Sequence, residues 1–228
     1  MIRILSLCLF AFLLLVGCEP GVVFKSPVPP EIESLNKIDD PFVGTFMCAS
    51  DSTMIYVTQD GLFEEHYFRF VTTVDQINEA EGCAIVGRGL VLPEQEQCVP
   101  FEYIDSTHIA AKIYELDTLF YFRDYEVAKE YKGHLFLNHK TLQGTWIAWM
   151  LTPQSNGNML LRLIDLENDI EQVEEVTHQY DTRMTRDEEI QYIINPTLVE
   201  FEKILEPERN MECETLIRMN PLQLIFNM

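Results

Sequence analysis

Basic side chains are scarce in this chain. Sixteen Lys and Arg stand against 37 Asp and Glu, for a net charge of −21. A chain this acidic repels phosphate backbones, which excludes nucleic acid as a partner class and disfavours a flat electrostatic contact with anionic lipid. Neither Cys-x-x-Cys nor His-Glu-x-x-His occurs, so zinc-ribbon, thioredoxin-type and zincin chemistry are not expected. Gly-x-Ser-x-Gly, the P-loop and the dinucleotide glycine pattern are also missing. Gly87-Arg88-Gly89 is too short to cradle a phosphate and reads as a bend in a strand. No cofactor, no metal and no catalytic set is therefore expected. An uninterrupted apolar stretch of membrane-spanning length is lacking as well. Ile4 to Val16 is apolar except for Ser6 and Cys8, but its thirteen residues fall short of the roughly 20 a bilayer helix needs.

What is present is apolar and aromatic enough to fold. The hydrophobic fraction of 47% and the 11% of aromatics exclude disorder for most of the chain. Arg3 followed by the short apolar run has the form of an export signal, and Glu19-Pro20 stops any helix beyond it. The run ends in Leu15-Val16-Gly17-Cys18, which resembles the lipobox of bacterial lipoproteins. That resemblance implies a signal peptide over 1–17, a diacylglyceryl group on the Cys18 sulfur, cleavage before Cys18 and acylation of the new amine. It also implies a membrane-anchored protein of the cell envelope, at the outer membrane. Two or three acyl chains would anchor it stably, because each buried methylene contributes about 0.8 kcal/mol.

Residues 18–41 hold five of the eleven prolines, Pro20, Pro27, Pro29, Pro30 and Pro41. Such a stretch is expected to be a stiff, extended tether, with Phe24 and Val28 as the residues that could pack on the domain instead. Residues 42–228 are expected to form the globular domain, as one unit or as two β subdomains joined near 105–118. With Cys8 in the signal and Cys18 lipidated, four cysteines remain: Cys48, Cys83, Cys98 and Cys213. An exported chain with four can close two disulfides. The pair Cys83–Cys98, with Cys48–Cys213 as companion, is one reading. Buried free thiols are the other, and Cys48 within Thr45-Phe46-Met47-Cys48-Ala49 suits it.

The domain reads as mainly β, an antiparallel barrel or curved sheet with a short helix near 196–206. Met54 to Val57 precedes Gln59-Asp60-Gly61, a hairpin signal, and Leu62 to Val71 returns. Val99 to Ile104 alternates with period two. Ile109 to Tyr114 and Thr118 to Phe122 flank Glu115-Leu116-Asp117, which reads as a connection. Lys132-Gly133-His134 turns into Leu135-Phe136-Leu137. Thr145 to Leu151 places Trp146 and Trp149 on opposite faces, and Ser155-Asn156-Gly157-Asn158 turns that strand back. Asn195-Pro196-Thr197 reads as an N-cap with proline in the first turn. Leu216-Ile217 and Leu222 to Phe226 suggest a last strand. The Ser26 to Pro30 segment, Lys132 to Asn138 and Asn195-Pro196-Thr197 are together similar to envelope lipoproteins of the Bacteroidota type, a resemblance that implies no activity and adds no site.

The chemistry-bearing residues are dispersed. His66, His108, His134, His139 and His178 form no ligand motif, and His134 and His139 fall on opposite sides of an unbroken strand. Asp165, Glu167, Asp169 and Glu171 alternate as in a calcium loop. Val176 stands where the bidentate glutamate would be, so a solvated acidic turn is the expectation. Tyr56, Phe68, Phe70, Tyr103, Tyr121, Phe122, Trp146 and Trp149 fill a core or line a ligand face. Three functions remain open: a non-enzymatic domain binding a small ligand or an envelope protein, a hydrolase of glycans or peptides, and an accessory subunit of an outer-membrane complex. A deep apolar cavity would favour the small ligand. A pocket of clustered His and acids would favour the enzyme, and a broad exposed apolar patch the protein partner.

Overall fold

The computed structural model describes residues 20–93, 98–166, 170–206 and 213–220. Strands take up 49% of the described residues and helices 11%, so the fold is mainly β. The fifteen strands lie in one large mixed sheet that curves strongly without closing into a barrel. The open line runs between β8 (His108–Tyr121) and β9 (Glu126–Tyr131), where a single bridge, Arg123 to Glu126, joins the two sides.

At the centre are β10 (His134–Lys140) and β11 (Trp146–Pro153), paired over six positions from Leu135–Leu151 to Lys140–Trp146. β10 is buried on both faces from Leu135 to Asn138, and β11 is buried on one face and partly covered on the other, which is why they read as near-continuous apolar runs. Trp146, Ala148 and Met150 face one core, together with Phe136 and Phe24. Leu151, Leu135 and Leu137 face the other. Trp146 and Trp149 do lie on opposite faces, as strand alternation requires. Trp146 is buried in the first core, and Trp149 is 39% exposed on the side of the second.

The second core is wrapped by β12 (Met159–Leu163), β15 (Cys213–Arg218), β2 (Gly44–Cys48), β3 (Met54–Val57) and β4 (Gly61–Thr73), in that spatial order after β11. The expected last strand is thus not at an edge. It is inserted between β12 and β2, with Leu216 facing both Met159 and Cys48. Residues 222–226, the rest of that expectation, lie outside the described residues. Past the cup, β4 and β8 continue together as a ribbon paired from Gly61–Tyr121 to Thr73–His108. The expected connection at Glu115-Leu116-Asp117 is therefore strand. It contains neither glycine nor proline, and the β4 partners Glu64, Glu65 and His66 hold it extended. One residue is extra at the base of the ribbon: Leu62 pairs with Phe120 but Phe63 pairs with Thr118, so Leu119 bulges. Gly61 is required there, since a Cβ would stand 2.3 Å from the Phe120 carbonyl oxygen. A third, smaller core at the ribbon's far end gathers Ile77, Leu90, Val99, Ile109 and Ala111.

The tether expectation is corrected from Gly21 onward. Val22–Phe24 is β1, parallel to β14 (Ile190–Ile194) and antiparallel to β11 at Phe24–Trp146, which also makes the sheet mixed rather than purely antiparallel. Val22, Val23, Phe24, Val28 and Ile38 are all buried. The proline carbonyls supply the acceptors that fasten the segment. Lys129 Nζ donates to Pro27 O at 2.9 Å and Pro29 O at 2.7 Å. Asp165 accepts from the Gly21 and Val22 amides, so it serves this clamp rather than a calcium loop. Glu167 and Asp169 lie outside the described residues. Cys18 does too, two positions before the first described residue.

Three short helices complete the described fold. The first two, α1 (Val74–Glu79) and α2 (Ile170–Val176), were not anticipated. Helix α1 is capped by a reciprocal Thr73–Gln76 box. Helix α2 buries Val173 and Val176, three apart on one face, so Glu171, the last of the four acids expected in a turn, is helical where the segment has a core to pack on. Helix α3 (Leu198–Ile204) is the expected helix, but Thr197 caps it rather than Asn195. Thr197 Oγ1 accepts from the Glu200 amide while Glu200 accepts from the Thr197 amide, a two-way pairing that Asn195 and Pro196 cannot make.

Candidate functional site

The cup around the second core is filled at one end and open at the other. Phe42, Ile38 and Phe46 close the base, all at most 1% exposed. Above them a cavity of about 510 Å³ remains. Its lower wall is apolar, from Leu62, Phe120, Leu137, Ile55 and Leu216. Leu119, Ile147, Leu161 and Trp149 continue that wall toward the opening.

The polar lining comes from four separate places in the chain. Strand register brings these together. Cys48, Ser50 and Asp51 sit at the turn from β2 to β3. Glu64 pairs with Ile55 at the start of β3, next to that turn. Glu214 pairs with Leu161, two residues before Leu216, which faces Cys48. His139 pairs with Ile147 at the same end of β10 and β11. Asp51, Glu64, Glu214 and His139 therefore ring one opening.

Each of these is already oriented. Asp51 accepts from the Thr53 amide at 2.9 Å and its hydroxyl at 2.8 Å, and the amide bond first of all holds its carboxyl below the usual range. Glu214 accepts from the Ser50 amide at 3.1 Å; a hydrogen bond with the Cys48 thiol, and then Ser50, keep it below its usual value. Glu64 stands 3.1 Å from His66 Nε2, and Asp117 approaches the same nitrogen at 3.6 Å. His139 is engaged by the buried Glu126 at 3.2 Å. Burial pushes the Cys48 thiol up, so it stands in the wall as a neutral, unreactive group.

The structure gathers only part of the set singled out from the sequence. Trp149 lines the cavity, while Trp146 faces away. Tyr103 and Phe68 are exposed on the ribbon and its neighbour strand, far along from the cup. His134 faces away from the cavity, bonded to Thr152, and burial lowers its pKa. Among the described residues no three His, Cys, Asp or Glu side chains group as metal ligands. The acids at the opening had no sequence signal beyond their place on alternating strands, since they come from positions as distant as 51 and 214.

Cys48, Cys83 and Cys98 are free thiols, and the Cys213 side chain lies outside the described residues, so its pairing with Cys48 does too. The 83–98 bridge fails on geometry. β6 (Gly89–Val91) runs between β5 (Ala84–Val86) and β7 (Val99–Tyr103), with Ala84 opposite Val91 and Leu90 opposite Val99. Two strand spacings are roughly 9.5 Å, beyond the reach of about 7 Å between bridged α-carbons. Alkylation without reductant should accordingly label both Cys83 and Cys98. A peptide map showing them joined would mean that β6 does not sit between them.

No protein-family model, curated protein or solved structure matches this chain. Among the described residues no helix is long and apolar enough to cross a membrane.

Proposed function

We propose that this protein is a lipid-anchored lipoprotein of the cell envelope whose β domain binds a small apolar ligand without transforming it. The cavity carries this reading. At about 510 Å³ it lies within the 300–1,000 Å³ usual for small-molecule sites, and it combines an apolar body with few polar groups at one end. Among the described residues the opening offers acids but no activated nucleophile, since burial raises the pKa of the Cys48 thiol.

The anchor itself rests on Leu15 to Cys18. Because Gly21 is already clamped by Asp165, a lipidated Cys18 would leave only about 10 Å of chain between the bilayer surface and the sheet. The domain would then ride directly on the membrane, where a ligand taken from or delivered to lipid has a short path. Replacing Cys18 by serine should give an unprocessed or soluble product, and mass spectrometry of the mature N-terminus should show acylated Cys18. An unmodified N-terminus downstream of Cys18 would refute the anchor.

The cavity is tested separately. Phenylnaphthylamine, a neutral apolar dye, should bind the protein and brighten. Leu161→Trp adds an indole to the cavity wall from a half-buried position, obstructs the way in from the opening and should reduce that binding at least tenfold, with far-ultraviolet dichroism unchanged. Equal dye binding by both proteins would remove the cavity as the binding site.

A further inference from the structure

We infer that the cavity is selective for an amphipathic amine, with the apolar body against Leu62, Phe120, Leu137 and Leu216 and the cationic head at the opening. This rests on the cavity-binding reading above and names the ligand class.

The charge distribution decides between possible head groups. Asp51, Glu64 and Glu214 stand on three different strands or turns but at one end of the cup, whereas among the described residues no Lys or Arg lines the cavity. Of the other titratable groups in the lining, Cys48 is a thiol whose pKa burial raises, and His139 is already turned to Glu126. The carboxyls of Asp51 and Glu214 are held anionic by their hydrogen bonds. Among the described residues no lysine or arginine pairs with any of the three, and beyond the one or two bonds it accepts each carboxylate has further acceptor capacity. A fatty acid would bring a fourth anion to this opening with no cation to meet it, which costs affinity by like-charge repulsion. An ammonium head would gain charge-assisted hydrogen bonds there.

Trp149 adds to the same preference. It is 39% exposed and lines the cavity beside Leu137, its partner on β10, which puts an indole, the strongest cation–π partner among side chains, in the cavity wall. The apolar end cannot accept a second charged group. Phe42, Ile38 and Phe46 close it, and Leu62, Phe120 and Leu216 are each at most 3% exposed. A ligand with one cationic end and one hydrocarbon end fits this polarity; a dication or a sugar does not.

Titration calorimetry of the full chain with decylamine, decanol and decanoate, each below its micelle point, tests the assignment. Decylamine should bind about tenfold or more tightly than decanol, the scale of one charge-assisted contact, and decanoate more weakly than decanol. In the Glu64→Gln/Glu214→Gln variant the amine should fall toward the alcohol while the alcohol is unchanged. Leu161→Trp keeps every charge and obstructs the cavity, so it should lose the amine; if it does not, the amine is merely condensing on an acidic surface and the inference fails. Equal binding of all three probes, or a preference for decanoate, would overturn the amine selectivity and leave the cavity reading standing. Binding of none of them, nor of the neutral dye, would overturn both.

Discussion

Asn138→Leu should lower the unfolding free energy by about 3–5 kcal/mol, read from urea transitions. Asn138 is fully buried on β10 and is bonded at both ends of its amide. Its Oδ1 accepts from the Val28 amide at 2.7 Å, and its Nδ2 donates to Val28 O at 2.7 Å and to Val127 O at 3.1 Å. Leucine fits the volume but orphans the buried N–H and C=O of Val28, at about 1–3 kcal/mol for each group left without water, and removes the added bond to Val127 O. The loss should be local first. Limited proteolysis should cut the variant between residues 25 and 35 and spare the native chain there, because this asparagine and Lys129 are what fasten the proline segment to β9 and β10. Asn138→Asp keeps the acceptor for the Val28 amide but loses both donations, and should be destabilised as well. A cost below about 1 kcal/mol for Asn138→Leu would mean that the segment 20–42 is not docked as described.

Phe201→Ala should cost about 3–5 kcal/mol, the range for emptying a large aromatic site in a core. Phe201 is fully buried and its ring meets Phe136 edge-on at 5.5 Å and Phe24 at 6.3 Å. It thereby joins helix α3, the central strand β10 and the N-terminal strand β1 in one contact. Phe201→Leu, which refills most of the volume, should recover a large part of the loss. Because this core lies on the opposite face of β10 from the cavity, dye binding measured well below the melting temperature should change little in the variant. Loss of dye binding without loss of stability would contradict the separation of the two cores by β10 and β11.

The features legible in the sequence were those carried by neighbours in the chain. Asp60-Gly61 and the Asn156-Gly157 turn marked hairpins because turn geometry selects residue type locally. Helix α3 was visible through its proline and apolar spacing. Its Thr197–Glu200 box, and the Thr73–Gln76 box of α1, were equally local signals that sequence reading passed over. The placing of Trp146 and Trp149 on opposite faces followed from alternation alone. The proline segment misled because proline content argues for a stiff spacer, whereas the outcome depended on partners far away: Asn138, Lys129, Asp165 and Gln191. Glu115-Leu116-Asp117 misled because charge resembles a turn until a partner strand holds it extended.

By itself the sequence determined a net charge of −21, a mainly β chain and the start of one helix, since composition, pleat alternation and capping act over a few residues. Tertiary structure alone decided that β15 enters between β12 and β2, that β6 separates Cys83 from Cys98, and that Asp51, Glu64, His139 and Glu214 share one opening. Alternation says which residues of a strand share a face, but not which strands become neighbours. That choice is made by burying three cores at once, and it is the register of those pairings that leaves a cavity above Phe42.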